Sequence, residues 1–349
     1  MDSTLLSNLT DPAILFFVVG VLIGSIRSNL EIPAPVTKFL SLYLLMAIGF
    51  KGGQALSQTG LSGEGLQVVG VSLLLAVAMP AILFPFLRRK ISHFDAAAIA
   101  ATYGSVSAVT FVTASQFLIS QGDEAGGYLT VALVVMESPA IIMAVLLASY
   151  VRSQLPAKVD NLVGTNGGKN FTKTPTADGE PVAQKKVSMR AVLHEAFTDG
   201  AHLLLILSMA VGFFSGAAGG EAMAPFVTDL FKGVLAFFLL DMGLLVARQL
   251  RQVRDVGPFL ISVALVTPLV GASLALGISA LLGFSIGDAT LLAVLAASGS
   301  YIVVPAVLRS AIPEARPSRY FTMSLAVTFP FNIIGGIPLY YFAAQLLLG

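Results

Sequence analysis

The chain has 349 residues, 56% of them hydrophobic and only 11% charged, with a mean hydropathy of +0.87. A soluble core of that size needs a charged coat that this composition cannot supply, so the class is a polytopic membrane protein, and the helix-length spans below make it all-α. Nothing in a net charge of +1 points to nucleic acid, and the absence of cysteine excludes disulfides and thiolate metal sites.

The first eleven residues carry two Asp and no Lys or Arg. They lack the positive start of a signal peptide, so the first apolar run is expected to be retained as a spanning helix. Ten apolar stretches follow in chain order, at 12–26, 34–50, 66–87, 96–119, 128–151, 201–218, 226–246, 256–282, 288–310 and 318–348. Each is near the roughly 20 residues a helix needs to cross the hydrocarbon. There is no Trp, so any interfacial aromatic belt must use Tyr and Phe. If the N-terminus faces outward, every Lys and Arg except Lys51 and Lys232 falls on the inner side, which is 18 of the 20 basic residues. The positive-inside rule therefore selects ten spans with both termini outside, the periplasmic or extracellular face of a bacterial inner membrane.

The two halves match at steady offsets of 191–195 residues. Gly20-x-x-x-Gly24 recurs as Gly212-x-x-x-Gly216, Ile48-Gly49 as Met242-Gly243, Asp95 as Asp288, and Pro139 as Pro330. Five spans per half is an odd number, so the second half enters the membrane inverted. The expected organisation is a first five-helix repeat at 1–151, a polar cytoplasmic linker at 152–199 and a second, inverted repeat at 200–349. The linker is rich in Lys, Asn, Gly, Thr and Pro, and its end, 187–197, has the pattern of a short amphipathic helix.

Two small-residue runs interrupt equivalent spans: Tyr103-Gly104-Ser105-Val106-Ser107 in the fourth, and Ser298-Gly299-Ser300-Tyr301 in the ninth. Broken helices at matching places in two halves point to the binding site of a secondary transporter. Unwound backbone at mid-membrane depth frees NH and C=O groups, and these need protein or a water-filled cavity to satisfy them. The start of each second half-helix offers NH donors to an anion. Pro305 frees a further carbonyl in the ninth span. Unwound carbonyls and the hydroxyls of Ser105, Ser107, Thr110 and Ser300 suit Na⁺. The alternative is that the small residues only permit close helix packing.

Two carboxylates lie inside spans, Glu137 in the fifth and Asp241 in the seventh. An intramembrane carboxylate is a functional candidate by default. Glu137 precedes Ser138-Pro139, where the helix is expected to kink, and reads as a cation ligand, a proton carrier or a neutral structural acid. Asp241 reads as a partner for an inner arginine or as a contact between domains or subunits. Thr328 and Asn332 are one turn apart in the tenth span and read either as polar support for the ninth-span break or as ordinary interhelical hydrogen-bonding residues. Other matches fail. Gly164 to Lys169 lacks phosphate-loop spacing, and His194, Glu195 and His202 lack the spacing of a helical zinc site. No nucleophile–base set is visible, so no enzyme reading is supported, and no cofactor is implied beyond Na⁺ as coupling ion.

Several of these runs resemble the sodium-dependent bicarbonate transporter permease family: Ile48 to Gly53, Asp95 with Tyr103 to Ser107, Met136 to Ala140, Ala297 to Ser300, and the long run Val304 to Ser318. The likeness covers essentially the whole chain except the linker. It implies ten spans, inverted five-helix repeats with discontinuous fourth and ninth helices, a core domain moving against a gate domain, and a homotrimer. It further implies bicarbonate held at the crossing of the two breaks with Na⁺ beside it, importing the anion by symport. A small PII-like regulator docks on the cytoplasmic face of cyanobacterial members. The resemblance is to a divergent branch. Where cyanobacterial members have Asp after the ninth-span Ser run this chain has Tyr301, where they have Gly-Pro-Pro it has Val303-Val304-Pro305, and where they have Asp in the fifth span it has Glu137. These departures leave open a proton-coupled or organic-anion carrier of the same fold, or a non-transporting membrane sensor.

Overall fold

The structure, a computed structural model, describes residues 8–60, 63–154, 173–175, 181–183 and 200–349. The helices are α1 (Pro12–Ser25), α2 (Ala34–Thr59), α3 (Gly63–Leu87), α4 (His93–Gly104), α5 (Ala108–Gln121), α6 (Tyr128–Gln154), α7 (Gly200–Ala224), α8 (Phe231–Leu250), α9 (Pro258–Leu282), α10 (Ile286–Ala296) and α11 (Val303–Ala311). A last helical run, α12 (Pro317–Leu348), includes π-helical turns at Met323–Thr328 and Asn332–Gly336. Among the described residues, seven helical runs are long and apolar enough to cross a membrane. Their outer faces carry large apolar side chains such as Leu74, Ile82, Phe214 and Leu281, as a lipid-facing surface requires.

Two local expectations change. Gly200–Leu250 is one long helical run, but it is interrupted at Gly216, whose φ of 58° breaks the helix inside α7, and it passes through a π-helical turn at Pro225–Asp229. The kink expected at Pro139 does not interrupt α6, which is helical from Tyr128 to Gln154. The expected helix at 187–197 lies outside the described residues. Within 152–199 the structure describes the end of α6 and two short antiparallel strands, Lys173–Pro175 against Pro181–Ala183.

Glycine decides how the helices associate. α1 packs chiefly on α8, and α2 on α7. A Cβ on Gly20 would strike the Leu240 carbonyl, and one on Gly243 the Phe17 carbonyl. A Cβ on Gly49 would strike the Leu205 carbonyl, and one on Gly212 the Phe50 carbonyl. Backbones therefore touch directly, where dispersion replaces the missing hydrophobic drive between helices in lipid. Gly24 approaches Leu244 and Ala247, one turn beyond the Gly20 contact with Leu240 and Gly243, so α1 and α8 run in the same direction. The same progression, from Gly49 near Leu205 to Gly53 near Met209, makes α2 and α7 parallel.

The remaining helices form a second group. α3 supports α4 and α6, while α9 supports α10 and α12. Ser92 caps α4 and Ser285 caps α10, each accepting from the backbone NH of the aspartate three residues on. Those two aspartates are buried, and each ties down a loop of the other half. Asp95 accepts from Arg316 N and Arg319 Nη1, both at 2.8 Å. Asp288 accepts from Gly126 N at 2.7 Å and from the Tyr128 hydroxyl at 2.5 Å.

The glycine contacts give a direct test. Gly243→Val should destabilise the protein by about 1–3 kcal/mol, because it overpacks a backbone contact. Gly70→Ala, where a Cβ meets nothing within 4 Å, should be neutral. Thermal melting of the two purified variants in detergent checks the difference.

Candidate binding site at the crossing of two broken helices

α4 ends at Gly104 and α5 begins at Ala108, with Ser105 and Ser107 extended between them. α10 ends at Ala296 and α11 begins at Val303. The two gaps lie against each other and exchange backbone hydrogen bonds. Ser107 N donates to Ser298 Oγ at 3.0 Å, and Ser300 N donates to the Thr102 carbonyl at 3.0 Å. Each break thus satisfies groups that the other has freed, as a dry interior demands.

Local capping uses several of the hydroxyls that the sequence assigned to a cation. Ser107 is the N-cap of α5, its Oγ accepting from both the NH and the hydroxyl of Thr110. Ser300 Oγ accepts from Val304 N at the start of α11. Ser298 Oγ donates to the Leu295 carbonyl. Gly104 is helical rather than the point of unwinding; a Cβ there would strike Pro80 of α3. The matching contact in the second half is Ala296 against Gly271 of α9, so the glycine has changed sides.

Two residues of α12 hold the breaks, one each. Thr328 gives its proton to the Ala264 carbonyl at 2.7 Å, so the Tyr103 hydroxyl donates to Thr328 at 2.6 Å. Asn332 donates to the Ala297 carbonyl at 2.9 Å and accepts from Tyr340 at 2.8 Å. Support of the ninth-span break holds for Asn332, whereas Thr328 makes interhelical hydrogen bonds with Ala264 and Tyr103 and anchors the fourth-span break.

A cavity of about 70 Å³ opens beside the crossing, room for a few waters or a small anion. Its polar lining is Ser41, Ser107, Glu137, His202, Ser300 and Tyr301, set among apolar walls that include Val106, Leu44 and Phe238. Tyr301 packs edge-on against Phe329, its hydroxyl buried without a hydrogen bond of ordinary geometry and with Ser107 as its polar neighbour. Ser105 Oγ is also buried without a hydrogen-bond partner. Of the residues singled out by sequence, Val106, Ser107, Glu137, Ser300 and Tyr301 line the cavity. Tyr103, Gly104, Ser105, Ser298, Gly299, Thr110, Thr328 and Asn332 form or brace the breaks behind it. Asp241 does neither: it lies on α8 and accepts from Thr37 of α2 at 2.7 Å, within the group formed by α1, α2, α7 and α8.

His202 is the residue that sequence reasoning passed over. Its Nδ1 lies 2.5 Å from Glu137 Oε2, and both side chains are about nine-tenths buried. The signal was available: His202 is the one ionisable residue in the apolar stretch 201–218, and the rule that picked out Glu137 applies equally to it.

The Na⁺-dependent bicarbonate transporter superfamily profile matches residues 12–345. The chain belongs to that superfamily. No curated protein matches it. For this member of the superfamily, the polar lining beside the crossing is one carboxylate, one imidazole and several hydroxyls. Among the described residues no group of three or more His, Cys, Asp or Glu is placed to hold a metal.

The braces differ in what their loss exposes. Asn332→Leu strands the Ala297 carbonyl and the Tyr340 hydroxyl and should cost about 2–3 kcal/mol. Tyr103→Phe leaves Thr328 still bonded to Ala264 and should cost about 1 kcal/mol. Denaturation in mixed micelles, followed by helical circular dichroism, checks the order.

Proposed function

We propose that the protein is a secondary active transporter that imports bicarbonate by symport with Na⁺ across a bacterial inner membrane. The reading has ten spans in two inverted five-helix repeats and both termini outside. The parallel pairing of α1 with α8 and of α2 with α7, and the crossed aspartate ties, are what a two-fold relation between halves would produce. The distribution of Lys and Arg supports the orientation. A homotrimer and a docked PII-like regulator belong to the same reading and rest on the family resemblance.

One observation carries the site: two helix breaks meet and are bonded to each other beside a cavity lined by hydroxyls and a carboxylate. The sensor or scaffold alternative expects a dry, filled crossing instead. The coupling follows from charge. An anion entering beside Glu137 is repelled unless a cation compensates the carboxylate, since opposite charges in a partly dry site attract more strongly than they do in water. Na⁺ held by Glu137 and neighbouring hydroxyls would supply that compensation. Tyr301 offers a hydroxyl where a second carboxylate stands in cyanobacterial members, so Glu137 carries the cation's charge alone.

Radiolabelled bicarbonate uptake into proteoliposomes tests this reading. Uptake should require an inward Na⁺ gradient, and Glu137→Gln should abolish it while the protein still folds. Ser300→Ala and Ser105→Ala should raise the apparent substrate constant by about threefold to tenfold, the worth of roughly one hydrogen bond. Uptake that follows an imposed pH gradient and ignores Na⁺ would favour proton coupling through Glu137. Normal transport by Glu137→Gln under both gradients would make the carboxylate structural.

A further inference from the structure

Glu137 and His202 belong to different helix groups. Glu137 is on α6, which packs chiefly on α3 and α4 and so belongs to the group that holds the broken helices. His202 is at the start of α7, which packs on α2. The 2.5 Å contact between them is therefore a polar tie across the boundary between the two groups, in a cavity whose walls are mostly apolar. The imidazole is held from its other side as well, with Nε2 3.5 Å from the Val134 carbonyl, one turn before Glu137 on α6. Both ring nitrogens thus face α6. Among the described residues lining the cavity, the only other titratable group is Tyr301, so no second basic side chain competes for Glu137 there.

We propose that His202 is a positioning residue for transport: in the cation-free protein it holds the Glu137 carboxylate and ties α7 to α6, and a cation binding at the crossing must take Glu137 from it. On this proposal the ion takes the Glu137 oxygen that now lies 2.5 Å from the imidazole, and not the second oxygen of the carboxylate. Cation binding and the tie then exclude each other, and release of the tie removes one of the polar contacts between the two groups, the buried Gln249–Thr322 hydrogen bond between α8 and α12 being another. The energy for the shift is the difference between the cation's affinity for Glu137 with the tie broken and with it made. This rests on the reading of Na⁺ as the coupling cation, and it does not require the anion to be bicarbonate.

The chain has no cysteine, so a single introduced cysteine reports without background. Ser41 lines the cavity at the crossing, and Ser115 lines a second cavity, of about 300 Å³, between α2 and α5. Ser41→Cys and Ser115→Cys proteins, purified in detergent, are labelled with a maleimide with and without NaCl, using choline chloride as the control. In the His202 background, Na⁺ should change the labelling rate at one or both sites by about threefold or more. With His202→Ala added, the Na⁺-free rate should already equal the rate that the His202 protein reaches only with Na⁺. His202→Gln, which keeps a donor toward Glu137, should fall between the two. Melting temperature without Na⁺ reports folding, and His202→Asn replaces the alanine variant if that one does not fold. The Na⁺-induced rise in melting temperature gives a second readout and should reach half its maximum at an NaCl concentration about tenfold lower in the variant, because the competitor for Glu137 is gone. Labelling and half-saturation unchanged by loss of His202 would overturn the proposal, as would a His202 protein that responds to Na⁺ in neither assay. If the Na⁺ responses appear as stated but bicarbonate is not taken up, the assignment of the anion fails and the role of His202 stands.

Discussion

The structure depends on one requirement: backbone freed in the interior of a helical membrane protein must find a partner. Two helices stop short here, and neither could do so alone. The Ser107 NH reaches the Ser298 hydroxyl, and the Ser300 NH reaches the Thr102 carbonyl. An unsatisfied amide in hydrocarbon costs several kcal/mol. The two breaks are therefore stable only against each other. That mutual dependence places them side by side, and it leaves the polar cavity next to the crossing rather than at either helix alone.

The rest of the core group keeps that contact in register. Asp95 and Asp288 sit at the far ends of the two broken helices, and each is bonded to a loop of the opposite half. A buried carboxylate that accepts two hydrogen bonds is well satisfied, whereas one stripped of its partners is expensive. α12 then braces both gaps, through Thr328 on one and Asn332 on the other. The broken helices, their caps and α12 are thus linked as a unit. The group of α1, α2, α7 and α8 is instead held by glycine contacts between parallel helices. Motion between the groups would leave both sets of interactions intact.

Much of this was legible in the sequence, because it depends on composition and period. The helical, apolar character and the two interrupted runs follow from residues a short distance apart, and the Asp95–Asp288 correspondence follows from the steady offset between the halves. What was not legible depends on which surfaces meet. Gly104 read as the point of unwinding, but it is helical, and its missing Cβ makes room for Pro80. Ser107 and Thr110 read as cation ligands, yet the cap they form with each other engages both hydroxyls. Asp241 obeyed the same rule as Glu137 and proved to belong to another part of the molecule, bonded to Thr37. His202 was set aside for its spacing to other histidines, when its partner lies 65 residues away on another helix.

The most direct measurement is an experimental structure determined with Na⁺ and bicarbonate at saturating concentration. The account predicts density for a small planar anion at the crossing, within hydrogen-bond distance of the Ser298–Tyr301 run or of Ser105–Ser107. It also predicts a cation contacting Glu137, and a Glu137–His202 separation beyond ion-pair range. An empty crossing with the anion bound elsewhere, for example in the cavity around Lys51, would contradict it.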